Sequence, residues 1–461
     1  MVVSVVVPVV GGRGAVPYVL AALRAQTYPS DLLEVIVVDD GATPRFALPP
    51  IRPGRCRLVS GRPVAVGSAD RDRVRAHAIG SQHSSGDLLI WLDPDVVVHP
   101  TYVAALVRRS RSGPATVPVA WPGAARPGVP ATTSIEEVSA AARAGDLGRL
   151  LAGRLAPADD PGMRSEPGAE RDHLRFDALG GATLAVPRDL YEESGGLPPA
   201  STAPGERAAA TELCYRLAQQ GAVFATEAEA RSWWLDPERD RDATTARHEE
   251  VWLADLVPYP RERRRETGRI RSVPLVVAVV PVPSPESEGG YDLVQACVDR
   301  LLGGSEEDVR VVLVGDWHHL HDDRRDLFSD PLIDLRLLQA RYRGDPRVLL
   351  AKEAPSTAFP SPFSLQVPPR WGFGRETLAR LVDEADSSSA GVLRVLTPDL
   401  PPYDGTGIQL WRTAAVRRAV RQGLGGESLE RRVGEVYGRR WVTSEVLDLT
   451  DLMALSTTEL T

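Results

Sequence analysis

The sequence predicts an α/β protein on a mostly parallel sheet flanked by helices, followed by a second α/β module. Three observations predict it. Val2 to Val10 is a β-branched run, far too short to span a membrane and suited to a strand buried on both faces. A strand–helix–strand unit occupies the first forty residues, the pattern that builds parallel sheets. A further apolar run, Leu88 to Leu92, ends in Asp93-Pro94-Asp95. That puts paired carboxylates at the carboxyl end of a strand, where open α/β sheets take their ligands.

The elements follow in order. Tyr18 to Thr27 carries apolar residues at helical spacing, and Tyr28-Pro29-Ser30 ends it. Leu33 to Val38 forms the second strand and exits at Asp39-Asp40-Gly41. Residues i and i+2 of a strand share a face, so Asp93 and Asp95 are expected to point the same way. Two such carboxylates suit a hard divalent cation that also holds a diphosphate. Gly113 to Arg175 is rich in Pro, Gly, Ala and Arg, with short helices expected at Ile135–Ala142 and Leu147–Leu155 and a lid-like loop at Pro157–Glu170.

Composition bounds the function. At 461 residues the chain holds two or three domains. A formal net charge of −8 argues against nonspecific nucleic-acid binding. Cys56, Cys214 and Cys297 are too scattered for a zinc site or a disulfide framework, which fits a reducing cytoplasm. No signal-peptide pattern or membrane-length apolar run is present. The Arg-dominated, Ala-, Gly-, Val- and Pro-rich composition matches a GC-rich bacterial genome.

Four ordered segments, Ser4 to Pro8, Ala25 to Pro29, Val37 to Gly41 and Gly86 to Asp95, resemble the family 2 nucleotide-sugar glycosyltransferases of the GT-A fold. More loosely, Phe176 to Arg188 resembles that family's glycine-containing strand beside the acceptor site, and Ala209 to Gly221 its catalytic helix. The resemblance implies that Pro8, Asp39, Asp40 and Asp93 hold the nucleotide. It implies that Asp93 and Asp95 hold Mn²⁺ or Mg²⁺. The partners it implies are a nucleotide-sugar donor, with UDP first and GDP or dTDP open, and a glycan or small-molecule hydroxyl acceptor of envelope or secondary metabolism. Peripheral membrane contact at the inner face and homo-oligomerisation stay open.

Two departures bear on catalysis. The helix that begins Glu-Asp in the family has Ala209-Ala210 here, and alanine cannot take a proton from an acceptor hydroxyl. Glu206 and Glu212 are the nearby substitutes; Glu212 faces away from Ala210 in a regular helix, while Glu206 precedes it. The stretch Ser232 to Asp236 lacks the histidine that many relatives use as a metal ligand, leaving Asp236 or His248. A catalytically impaired protein that binds nucleotide-sugar or glycan and scaffolds a partner is therefore the alternative to an inverting transferase. A nucleotidyl or phosphoryl-sugar transferase is the disfavoured third option.

The second half restarts the pattern. The expected boundaries are a GT-A domain at residues 1–255, a basic linker at 256–272, and a degenerate GT-A-like domain at 273–461. Val273 to Pro281 reads as the first strand and Val309 to Val314 as the second, exiting at Gly315-Asp316. Ala390 to Asp399 reads as the counterpart of the D-x-D strand, with Thr397 replacing its first acid. The linker reads as a solvated connector, and His318, His319 and His321 as a solvated loop.

Overall fold

The computed structural model describes the chain except residues 10–13, 40–44, 62–68, 126–131, 152–175, 236–242, 265–267, 284–289, 321–329, 398–406, 424–427 and 456–461. The expected lid at 157–170 lies outside the described residues. Two compact units divide the chain, Met1–Leu253 and Ala254–Thr461. Among the described residues no helix is long and apolar enough to cross a membrane.

In the first unit the main sheet comprises β1 (Val3–Pro8), β2 (Leu33–Asp39), β3 (Cys56–Ser60), β4 (Leu88–Trp91), β6 (Thr116–Ala120), β8 (Thr183–Pro187) and β9 (Val223–Thr226). Their spatial order is β3-β2-β1-β4-β8-β6-β9. The pairs β3/β2, β2/β1, β1/β4 and β6/β9 are parallel; β8 runs antiparallel to both neighbours. A small second sheet joins β5 (Val96–Val98), β7 (Gly123–Ala124) and β10 (Ser232–Trp234). The principal helices are α1 (Val16–Arg24), α2 (Ala69–Gln82), α3 (Tyr102–Ser110), α4 (Ile135–Ala144), α5 (Arg188–Glu193), α6 (Glu206–Gln219) and α7 (Ala243–Leu256).

Strand β1 is buried along its whole length, which explains a run that is apolar but for the hydrogen-bonded Ser4. Val3, Val5 and Val7 enter a core with Val19 and Leu20 of α1 and Leu106 of α3. Val6 turns to the other face, with Ile36, Val38 and Ala76 of α2. Each such side chain contributes roughly 1.5–3 kcal/mol relative to exposure. Helix α2 lies so close that a Cβ on Gly80 would fall 2.2 Å from Val6 Cγ1. The Ala25-Gln26-Thr27 segment pins the end of α1 to the turn after β5: Gln26 donates to the His99 carbonyl at 2.9 Å and accepts from Val103 N–H at 3.0 Å.

A buried carboxylate ties the amino ends of the strands. Glu34 accepts from Ser4 Oγ and Ser85 N–H, both at 2.5 Å, while Ser4 Oγ accepts from Gly86 N–H at 2.7 Å. Burial raises the Glu34 pKa, but the bonds from Ser4 and Ser85 and the Arg57 charge outweigh it, so the group sits below its ordinary 4.5. A depressed carboxyl stabilises the fold above its unfolded pKa and loses that contribution as pH falls through its folded value. Glu34→Gln is expected to cost about 1.5–3 kcal/mol at pH 7, and the gap to wild type to close below the ordinary carboxyl range. Urea unfolding at pH 7 and in acid checks both statements.

In the second unit the main sheet comprises β11 (Val276–Pro281), β12 (Val309–Val314), β13 (Val348–Ala351), β14 (Phe363–Gln366), β16 (Val392–Leu396), β17 (Gln409–Arg412) and β18 (Arg439–Thr443). It is ordered β13-β12-β11-β14-β17-β16-β18, and β15 (Trp371–Phe373) pairs separately with β19 (Leu449–Asp451). Helices α8 (Gly290–Leu302), α9 (Ile333–Tyr342), α10 (Thr377–Ser388), α11 (Thr413–Arg421) and α12 (Leu429–Tyr437) accompany it.

Two readings of this half are corrected. The strand beside β11 on the D-x-D side is β14, parallel to it; β16, the expected counterpart, lies two strands away and antiparallel to β17. The described residues of 256–272 are also not a uniformly solvated connector: Gly268 to Ile270 are exposed, while Val257 and Tyr259 are buried. Arg264 bonds Asp308 at 2.6 Å and the Val273 carbonyl at 2.7 Å, Arg261 pairs with Glu306 at 2.6 Å, and Arg271 is buried.

Candidate functional site

Strands β1, β2 and β4 are adjacent and parallel, so their carboxyl ends, Pro8, Asp39 and the D-x-D segment, open on one edge of the sheet. Asp39 ends β2 almost fully buried and accepts from Phe46 N–H at 2.8 Å. It thereby holds the backbone at Phe46. Asp40 lies outside the described residues.

The D-x-D acids do not share a strand face. β4 stops at Trp91, Leu92 N–H still reaches the Val6 carbonyl at 3.0 Å, and residues 93–95 then form a turn. Pro94 has no N–H to donate to a ladder, and Val96 N–H closes the turn on the Asp93 carbonyl at 3.2 Å. The alternation argument is replaced by turn geometry. Asp95 is buried and Asp93 partly so. Leu235 N–H, just past β10, bonds the Asp95 carbonyl at 2.9 Å and fixes the turn from its other side. Among the described residues no cluster of three or more His, Cys, Asp or Glu side chains could hold a metal. The carboxylates of Asp93 and Asp95 are hard oxygen ligands of the kind Mn²⁺ or Mg²⁺ takes alongside diphosphate oxygens and water. Asp236 lies outside the described residues, and His248 is exposed on α7.

The two candidate bases have different surroundings. Glu212 is buried on α6 and held by Arg216, with Nε–Oε1 at 2.5 Å and Nη2–Oε2 at 2.6 Å. Arg216 also donates to the Ser194 and Gly196 carbonyls, so the pair fastens the turn after α5. Glu206 opens α6 one residue after Gly205 and keeps a partly exposed side chain. Arg73 Nε stands 2.7 Å from its Oε2 and His77 Nδ1 3.6 Å from its Oε1.

Arg73 and His77 lie one turn apart on α2 and share a face. Burial pushes the His77 imidazole down to about 4; the Asp93 charge opposes this and Arg73 adds to it. His77 is therefore neutral at pH 7 and close enough to Asp93 to feel its charge. Neither residue is singled out by the sequence; the one signal is their i, i+4 spacing. Helix α6 approaches closely because residue 180 is glycine: a Cβ there would meet Thr211 Oγ1 at 2.6 Å and the Arg207 carbonyl at 2.8 Å. Ala209 is buried against Val74 of α2.

The model of glycosyl transferase family 2 matches residues 4–134, the stretch that carries β1, β2, β4 and the D-x-D turn. The first unit carries a glycosyl transferase family 2 segment at residues 4–134. No curated protein matches the chain. Among solved structures, residues 1–349 of Staphylococcus aureus TarS align at 13% identity over 57% of this chain and 68% of that one, with a TM-score of 0.38. The same protein in complex with UDP-GlcNAc aligns at 12% over 57% and 69%, with a TM-score of 0.38. Mannosyltransferase PcManGT from Pyrobaculum calidifontis, in complex with GDP-Man and Mn²⁺, aligns at 16% over 58% and 65%, with a TM-score of 0.33. The chain spans 44% of the longer TarS structure. Likeness at this level assigns no donor to the family 2 module.

Proposed function

We propose that the family 2 module moves a sugar from a nucleotide-sugar, with a UDP-sugar as the first candidate, to a hydroxyl acceptor, inverting the anomeric centre. The observation that carries this reading is the shared edge of the sheet, where the D-x-D turn, Asp39 and the Pro8 strand end come together within the family 2 segment. Pro8, Asp39 and Asp40 would hold the nucleoside, with Asp39 supplying an acceptor for base or ribose donors. Asp93 and Asp95 would hold Mn²⁺ or Mg²⁺, whose charge stabilises the departing diphosphate.

Glu206 is the carboxylate assigned to the acceptor. The acceptor oxygen bonds to the anomeric carbon, the bond to the diphosphate oxygen breaks, and the hydroxyl proton passes to Glu206. Arg73 fixes the orientation of that carboxylate and His77 packs beside it as a neutral group. Arg73→Met is expected to raise the rotational freedom of Glu206 and lower kcat about tenfold or more while leaving donor affinity near wild type.

A second reading, a binding protein that does not turn over, is favoured by one observation: the usual base position is filled by small residues of a helix start, with Ala209 packed into an apolar cluster. Release of nucleoside diphosphate, measured for UDP-, GDP- and dTDP-sugars with Mn²⁺ and a panel of glycan and small-molecule alcohols, separates the two. Acceptor-dependent release supports transfer. Tight donor binding with no release under any acceptor supports the binding protein.

A further inference from the structure

We infer that the second unit is another copy of the same fold whose cation-holding turn has been rebuilt around an internal ion pair, Arg370–Asp451, so that the chain carries one metal–nucleotide site and not two. The inference rests on the reading of the first unit as the donor site. Numbered by position along the chain within their own sheet, the strands of both main sheets run 3-2-1-4-6-5-7. Every neighbouring pair has the same direction in both.

The register carries the comparison residue by residue. Val3 faces Leu88 in the first unit and Val276 faces Phe363 in the second, which makes Trp91 and Gln366 equivalent. The next bond is also shared: Leu92 N–H to the Val6 carbonyl and Val367 N–H to the Val279 carbonyl, both 3.0 Å. Asp93-Pro94-Asp95 therefore corresponds to Pro368-Pro369-Arg370. The return strand agrees. β5 pairs antiparallel with β10 as β15 does with β19, and Leu452 N–H bonds the Arg370 carbonyl at 2.8 Å where Leu235 N–H bonds that of Asp95. Arg370 thus stands in the place of Asp95, and Asp451 in that of Trp234.

The guanidinium meets Asp451 as a fork, Nε–Oδ1 at 3.0 Å and Nη2–Oδ2 at 2.5 Å, and lies over the Trp371 ring at 5.3 Å. Hydrogen bonding from Arg370 holds the Asp451 carboxyl below its usual range. A guanidinium in the place of Asp95 repels a divalent cation, and its fork engages both oxygens of Asp451. The nucleoside end has changed as well: Gly315 occupies the place of Asp39, with Trp317 donating to the Leu313 and Ala351 carbonyls across it. Residues 352–362, between β13 and β14, contain no helix, so Arg73 and His77 of α2 have no counterparts.

The test is titration calorimetry of the full chain with UDP and with GDP, each with Mn²⁺, together with a melting-temperature cycle on the ion pair. The expected result is one nucleotide per chain, none for the Asp93→Ala/Asp95→Ala protein, and an unchanged stoichiometry for Arg370→Met. Two nucleotides per chain, or binding that survives Asp93→Ala/Asp95→Ala, would overturn the inference. The cycle is independent of donor binding. Arg370→Met and Asp451→Leu should each lower the melting temperature, and the double variant should lose less than their sum. Additive losses would remove the ion pair from the account. A chain that binds neither nucleotide yet shows the coupled cycle would sink the first-unit reading and leave the rebuilt turn standing.

Discussion

Replacing Asp95 by alanine should abolish the cation dependence of donor binding and lower transfer by about 100-fold or more, since a metal on the departing diphosphate supplies several kcal/mol and each 1.36 kcal/mol is tenfold in rate. The size of the effect follows from the donor set. Only Asp93 and Asp95 are assigned to the cation, so losing one removes half of the protein's ligands, and no third carboxylate or histidine of the described residues stands ready to replace it. Asp95 is buried, but its backbone carbonyl, bonded to Leu235 N–H, is what fixes the turn, and alanine keeps that bond. The variant should therefore fold. Rates measured across Mn²⁺ concentration check this: a wild-type rate in Asp95→Ala would remove the metal assignment.

The second large effect concerns Glu206. Glu206→Gln should lower kcat by roughly 10²–10⁴ and leave donor affinity unchanged, the range for loss of a positioned general base. Glutamine keeps the shape beside Arg73 and His77 but cannot hold the acceptor proton. Glu212→Gln serves as the contrast. Glu212 is locked in the Arg216 clamp, so its loss should appear as lower stability with a much smaller change in kcat. Steady-state kinetics and melting temperatures on both variants separate the roles. The reverse pattern, with Glu212 controlling rate and Glu206 only stability, would move the base.

The sequence was most readable where burial is symmetric. The strands Val3–Pro8 and Leu33–Asp39 are buried along their whole length, so each reads as a mostly apolar run with its polar exit residues standing out. It was less readable where chemistry depends on a turn or on distant partners. Pro94 breaks the strand before alternation can place Asp95, so two acids that look like one strand face belong to a turn. The Arg73–Glu206 contact joins α2 to the start of α6, and no local pattern in an arginine-rich chain foretells it. In the second half, β14 is followed by Pro368-Pro369-Arg370 and carries no acid to mark it. The apolar run Ala390 to Leu396, followed in the sequence by Thr397-Pro398-Asp399, looks more like the D-x-D strand than β14 does. Arg261 and Arg264 read as solvated because their partners, Glu306, Asp308 and Asp383, lie far along the chain.

Central to the account is the claim that the family 2 module holds a nucleotide-sugar through a cation at the D-x-D turn. The most direct measurement is the melting temperature of wild type and Asp95→Ala with UDP-, GDP- and dTDP-sugars, each with Mn²⁺ and with chelator. A ligand at one hundred times its Kd stabilises the native state by about 2.7 kcal/mol, a shift of several degrees. The account predicts such a shift for one nucleotide class, present with Mn²⁺, absent with chelator and absent in Asp95→Ala. A shift indifferent to Mn²⁺ and to Asp95, or none with any donor, would contradict it.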